Sequence, residues 1–546
     1  MGKLDPKRLW RRNRAALGVS RRGFLGAAAA ASALPLLSGC DDSGGRQASA
    51  LQFDGMVEFR HGVASGDPEP DSVVLWTRVT PGEDMPVPVR WEIAEDEAME
   101  EVVAHGTVVT DASRDYTVKV VPRGLEPHRH YWYRFSVGEA RSMSGRTKTA
   151  PAPGAAVERV RFAITSCALY SFGYFNAYGG VARQPDLDVV FSLGDYIYEY
   201  GADDLEGTNL LPERHMPPSH AAVSLDDYRT RHAVYKTDPD LQAAHAAHPW
   251  ICTWDDHETA NNSYDDGAGN HDEAVDGPWQ DRKRAGIQAY FEWLPVREEY
   301  NPNHGADFYR RTRYGDLVEF FVLDTRFDGR SPPPENAEEA VDPDRMMMSA
   351  AQERWLIDGM RRSGARWKVV AQQTMLAPLE LLPGEPFLAD SWSGYIAQRN
   401  RLFEAFGGSD GGPAIDNVVV VSGDIHSTFC NELTPDSRDR ESYVPGERGS
   451  VGVEFVCPSV TTPLAIPIGV GAYFRLLHPH IRHSEGTSDG GHGYAVLDID
   501  ARRCEAAYFY PLSVLLPSQQ ERSGRVLQLR EGETVLRLMP LLAGDP

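Results

Sequence analysis

The rhythm of hydrophobic and polar positions changes near residue 150. Between residues 57 and 150, short alternating runs at 73–77, 89–93, 116–120 and 130–135 are separated by turn-forming residues. Alternation turns one face of each strand inward, and closely spaced runs of this kind predict a small antiparallel sandwich, immunoglobulin- or fibronectin-like, over 57–150. Thr149-Ala150-Pro151-Ala152-Pro153-Gly154 reads as the linker that ends it. From residue 157, strands alternate with helices, which predicts an α/β domain over 157–515, followed by an extension at 516–546. Residues 281–294 and 349–360 have helical spacing of apolar positions, with Ser349 as a cap for the second. Residues 202–219 and 263–277 are rich in Gly, Pro and charge and read as loops.

Six apolar runs share a property. Those at 161–165, 189–193, 250–254, 317–323, 369–370 and 418–421 each run straight into polar residues. They deliver, in turn, Cys167; Asp195; Asp255-Asp256-His257-Glu258; Asp324-Thr325-Arg326; Gln372-Gln373; and Gly423-Asp424-Ile425-His426. Sheets with parallel strands bind ligands at their C-terminal edge, so six such strands predict one assembled site.

The first forty residues read as an address. Lys3, Lys7, Arg8, Arg11, Arg12, Arg14, Arg21 and Arg22 face a single acid, Asp5. Ser20-Arg21-Arg22-Gly23-Phe24-Leu25 is a twin-arginine signal, and the apolar run after it is too short to span a bilayer. Leu37-Ser38-Gly39-Cys40 resembles a bacterial lipobox. The expectation is a signal peptide at 1–39, a lipid-bearing Cys40, a tether at 40–56, and export through the twin-arginine machinery to the cell envelope or beyond. That route carries folded proteins, so a metal can be loaded before export. The chain carries a net charge of −24, and removing the basic front makes the rest more acidic. Such a surface repels nucleic acid, so no nucleic-acid partner is expected. Five cysteines follow Cys40, an odd number that leaves at least one unpaired.

The strand-end residues suit a pair of metals working on phosphate esters. Paired metals activate a water and neutralise phosphoryl oxygens during in-line attack. Asp195 is the bridging candidate, Asp256 and Asp424 flank it, and Cys167 and Tyr198 can complete one metal's shell. Hard oxygen ligands favour iron(III) or calcium, whereas the thiolate favours a transition metal.

Gly194-Asp195-Tyr196-Ile197-Tyr198 resembles the tyrosine-bearing motif of purple acid phosphatases. Those enzymes carry Asn-His-Glu/Asp where this chain has Asp256-His257-Glu258, and close on Gly-His-x-His where it has Gly423-Asp424-Ile425-His426. A further histidine of theirs falls near Gln373, and glutamine is a poor ligand for iron. The departures are similar to the PhoD-like alkaline phosphatase family. So are Phe59-Arg60-His61-Gly62-Val63-Ala64-Ser65-Gly66-Asp67-Pro68, Trp254-Asp255-Asp256-His257-Glu258, Trp392-Ser393-Gly394-Tyr395 and the export signal.

That resemblance implies a metallophosphatase β-sandwich flanked by helices, holding one Fe(III) and Ca(2+) ions. It implies iron at Cys167, Asp195 and Tyr198, with Asp195 also reaching calcium, and metals at Asp256 and Asp424. Arg326 would grip phosphate, and His257 and His426 would be either ligands or acids near the leaving group. The implied activity is an alkaline phosphomonoesterase acting on small organic phosphate esters through metal-bound hydroxide. Alternatives are a phosphodiesterase or phospholipase D-type activity on the same scaffold, and a non-catalytic lipoprotein that binds through its sandwich. Asn261 and Asn262 are expected to cap a turn, and most of His478, His480, His483 and His492 to lie at the surface.

Overall fold

The computed structural model describes residues 55–202, 204, 210–211, 213–382, 385–463, 470–486 and 491–539. The twin-arginine segment, Cys40 and the tether to residue 54 lie outside the described residues.

Two large sheets stack face to face. The first runs, in spatial order, Arg537–Leu538, Glu521–Arg530, Arg503–Pro511, Tyr494–Asp500, Arg159–Thr165, Val189–Ser192, Pro249–Cys252, Val63–Glu69, Ser72–Arg78 and Thr117–Val120. The second runs Arg310–Tyr314, Val318–Val322, Trp367–Ala371, Val418–Ser422, Val453–Val456, Ser427–Glu432 and Ile481–Gly486. Each has a parallel centre and antiparallel flanks. Their facing residues form one buried cluster, in which Phe162, Val189 and Phe191 of the first sheet meet Phe320, Val369 and Val421 of the second. Strands buried on both faces read as continuous apolar runs, which is why these were visible in sequence.

Helices cover both outer faces. Asn176–Arg183, Leu225–Tyr235, Pro239–Ala247 and Trp279–Trp293 pack on the first sheet, and Ala350–Arg362 and Ile396–Gly407 on the second. The Ser349 hydroxyl accepts from Gln352 N at 3.1 Å, capping its helix as expected. No helix among the described residues is long and apolar enough to cross a membrane.

The N-terminal region is all β. Strands Val87–Ala94, Val102–Thr110, His130–Val137 and Gly145–Lys148 form a small sheet that packs on Val63, Val73, Leu75 and Val118. Those four partners belong to strands of the large sheet, joined to it where Val63–Glu69 pairs in parallel with Pro249–Cys252. The sandwich expected at 57–150 thus shares one of its layers with the domain that follows. Residues 521–530, expected within an extension, pair along Arg503–Pro511 as an inner strand of the same sheet. The alternation in 521–530 is weak, and pairing on both sides compensates for it.

The six expected strands divide three to a sheet, and their C-terminal ends open on the same edge of the stack. There the chain turns sharply. Cys167, Asp195, Asp424 and His426 all adopt left-handed φ, between 54° and 66°. Non-glycine residues rarely occupy this region, and where they do the surroundings must hold them.

Candidate metal centre

The turn after strand Val189–Ser192 sets the geometry. Gly194 has φ of 104°, and a Cβ there would lie 2.4 Å from Asp255 Cβ, so only glycine allows the two loops to touch. Glu258 then ties them together: its carboxylate accepts from the backbone N–H groups of Asp195, Tyr196 and Asp255. Gly423 plays a similar part on the other sheet, where a Cβ would meet Ser166 Oγ at 2.2 Å.

These turns bring together Cys167, Asp195, Tyr198, Asp256, His257, Arg326, Asp424 and His426. Among the described residues, three overlapping groups have ligand atoms within 4.8 Å of one another: Cys167, Asp195 and His426; Asp195, Asp256 and His257; and Asp255, Asp256 and Asp424. Asp195 and Asp256 each belong to two groups, as bridging residues would. Tyr198 donates its phenolic hydrogen to Asp195 Oδ2 at 2.8 Å and lies 3.3 Å from His426 Nε2. The centre is buried except on one side: the side chains of Asp424 and His426 keep 19% and 18% of their exposure, which marks the mouth.

The charges do not balance without cations. Asp195 Oδ1, Asp255 Oδ2 and Asp256 Oδ1 are buried with no hydrogen-bond partner. Burial, with Asp195 close by, pushes the Cys167 thiol and the Tyr198 phenol well above their usual ranges. Burial also pushes Asp424 up to about 8, Asp256, Asp390 and Asp195 adding to it against Arg326. Asp256 is held low, because Arg326 and His257 outweigh its burial. Orphaned carboxylate oxygens beside a thiol and a phenol that cannot ionise alone are what a cation would satisfy. The donor set fits two kinds of ion: a sulfur-bearing group for a transition metal, and an all-carboxylate group for a hard one.

Arg326, which the resemblance implies would grip phosphate, is largely engaged by protein carboxylates. It is fully buried; Nε donates to Asp255 and Nη1 to Asp390 at 2.6 Å. Nη2 makes no hydrogen bond and lies 3.6 Å from Asp256 Oδ1 and 3.8 Å from Asp424 Oδ1. One N–H edge of the guanidinium therefore faces the centre.

Several supporting residues were absent from the sequence reading. Glu199 accepts from His257 Nδ1 at 2.7 Å. Thr462 Oγ1 lies 2.8 Å from the Tyr198 hydroxyl. Asp390 holds both Arg326 and Arg330. Glu199 directly follows Tyr198, and a buried acid in an aromatic stretch was a usable signal; Thr462 and Asp390 sit in irregular loops with none.

Other expectations resolve locally. The Asn262 backbone N–H donates to Asp256 Oδ2 and the Asn261 amide oxygen accepts from Tyr200, so the cap of this turn is the Asp256 carboxylate rather than an asparagine side chain. Gln373 stitches strand ends, accepting from Thr325 and donating to Thr253 and Leu323 O. His478, His480 and His492 are buried, against the expectation that most of the four lie at the surface; His478 Nε2 lies 2.8 Å from Glu380 O and His492 Nδ1 3.0 Å from Ser459 Oγ. All five described cysteines are unpaired and buried.

The PhoD-like phosphatase family model matches residues 162–508, and the model of that family's N-terminal domain matches residues 46–151. Alkaline phosphatase D of Bacillus subtilis (strain 168) is 40% identical over 462 residues, covering 81% of this chain and 76% of the relative. A solved structure of PhoD superposes with a TM-score of 0.79 at 35% identity, covering 89% of this chain and 93% of the other. The chain belongs to the PhoD-like phosphatase family of hydrolases.

Proposed function

We propose that this chain is an exported metal-dependent phosphomonoesterase that releases phosphate from small organic esters. The observation that carries the reading is the set of three overlapping donor groups with Arg326 Nη2 directed at two of their members. In this reading Cys167, Asp195 and Tyr198, with His426 beside them, would hold Fe(III), and the carboxylates of Asp256 and Asp424, with Asp195, would hold Ca(2+). Bound there, the ions would supply positive charge for the phosphoryl oxygens and the Lewis acidity that activates a water.

The chain's own residues do the rest. Arg326 Nη2 donates to a phosphoryl oxygen as negative charge builds there, and Asp255 and Asp390 keep it from swinging away. His257 presents a ring nitrogen to the same pocket and is placed to give a proton to the departing alkoxide oxygen. Burial of all but the Asp424–His426 side keeps bulk water from the remaining faces. The leader-like front, the twin-arginine signal and Cys40 support export with a lipid anchor.

Comparing turnover of a nitrophenyl monoester with that of the bis-nitrophenyl diester tests the function. The monoester is expected to turn over faster, and a preference for the diester would move the assignment to a phosphodiesterase. Blocked export of a protein carrying Arg21→Lys and Arg22→Lys, and release of Cys40→Ser into the medium, are the expected results for localisation.

A further inference from the structure

Glu199 is fully buried beside the centre, yet it is itself a member of none of the three donor groups. Its oxygens are all engaged. Oε2 lies 2.7 Å from His257 Nδ1, while Oε1 accepts from Asn261 N and Asn270 Nδ2, each at 2.7 Å. Backbone and amide donors thus fix the carboxylate before it meets the imidazole. The ring itself packs against both Tyr198 and Tyr200, with centroids 4.2 Å and 4.9 Å away.

We propose that Glu199 is a positioning residue that sets both the orientation and the tautomer of His257, so that Nε2 is the nitrogen offered to the pocket of Asp195 and Asp256. A carboxylate bonded this way can only accept, so Nδ1 must carry a hydrogen. Turning the ring over would put a carbon against Oε2 and leave a buried carboxylate oxygen without its donor, which is costly. Among the described residues Nε2 has no hydrogen-bond partner, so it remains available for a metal, a water or the ester oxygen. The constraint is the same whether or not Nε2 also carries a proton. Carboxylates that orient a histidine in this way act through it rather than on the substrate.

Only the kinetic arm of the test rests on the phosphatase reading. In the metal-loaded enzyme, Glu199→Gln is expected to lower kcat by about 10–100-fold with KM changed much less, the range typical of such supporting contacts. In a His257→Gln background the same substitution should cost less than about twofold, because Glu199 acts through the imidazole. An equal loss in both backgrounds would mean that Glu199 merely braces the Asn261–Asn270 loop, and would overturn the proposal. The second arm needs no activity. With nitrogen-labelled histidine in the full chain prepared without metal, His257 should carry its proton on Nδ1, and Glu199→Gln should shift it toward Nε2. An unchanged His257 signal in the variant also overturns the proposal. If the wild type hydrolyses no phosphate ester, the function falls while this second arm still decides Glu199. Should Glu199→Gln fail to fold, Glu199→Asp, one methylene short of Nδ1, is read in the same two ways.

Discussion

Arg326 donates to Asp390 across 2.6 Å, and that contact fixes how the guanidinium can serve the centre. With Nε held by Asp255, two of its three nitrogens are spent on protein carboxylates, and only Nη2 faces the carboxylates of Asp256 and Asp424. A lysine offers one point of charge on a flexible stem and cannot hold Asp255 and Asp390 together while pointing at phosphate. Arg326→Lys is therefore expected to lower kcat/KM by about 10²–10³, the scale of losing one transition-state donor. Steady-state kinetics on a nitrophenyl monoester measures it. A loss under tenfold would place Arg326 outside the reacting charges.

Cys167 and Tyr198 separate the iron reading from a simple carboxylate site. Both are 1% exposed, and burial, with Asp195 adding to it, favours their protonated forms unless a cation intervenes. Cys167→Ser is nearly the same size, so the expected result is a folded protein with little iron by elemental analysis. Tyr198→Phe should keep some metal but lose the visible tyrosinate band. A band that persists in Tyr198→Phe removes the tyrosine from the ligand set. Chelation of calcium should abolish activity in the wild type.

The strands were legible because both faces of each are buried, giving apolar runs that end abruptly where polar residues begin. The sites at their ends were legible for the same reason. What the sequence could not carry was distance. Nothing in it says that Asp390, 64 residues beyond Arg326, folds back onto it, or that Thr462 meets Tyr198 across 264 positions. The sharing of a sheet between the N-terminal strands and Pro249–Cys252 was equally hidden, since alternation reports which face is buried but not against what.

Gly194 offers a test of how tightly the two central turns are pressed together. Alanine there would suffer both from φ of 104° and from a Cβ 2.4 Å from Asp255 Cβ. The expected cost is about 2–4 kcal/mol, the sum of backbone strain and overpacking. Gly532 is the control: its φ is 75° but nothing lies within 4 Å of a Cβ, so alanine there pays for strain alone, about 1 kcal/mol. Urea midpoints of the two variants should differ in that order. Equal shifts would mean that the Gly194 turn can open without loss.

Lys236 gives the fold a dependence on alkaline pH that is independent of the metal centre. Its Nζ is buried without a hydrogen-bond partner, 4.5 Å from the centroid of Trp76 and 5.4 Å from that of Tyr196. Burial pushes it down from 10.5 to about 7. His232 nearby, with neither ring nitrogen partnered, is pushed from 6.5 to about 3, mainly by burial and then by Lys236. In both cases the unfolded chain binds the proton more readily than the folded one. Stability must then rise with pH across each window, from about 3 to 6.5 for His232 and from about 7 to 10.5 for Lys236. At one pKa unit per 1.4 kcal/mol, the lysine window is worth on the order of 5 kcal/mol at most. Lys236→Met matches the stem in length and removes the titration. Unfolding midpoints of variant and wild type at pH 7 and pH 10 isolate the effect, because the carboxylates of the centre titrate in both proteins and cancel in the difference. The variant should gain on the wild type at pH 7 and lose most of that advantage by pH 10. Parallel behaviour at the two pH values would mean that Lys236 keeps its proton in the folded protein, held by the two aromatic rings.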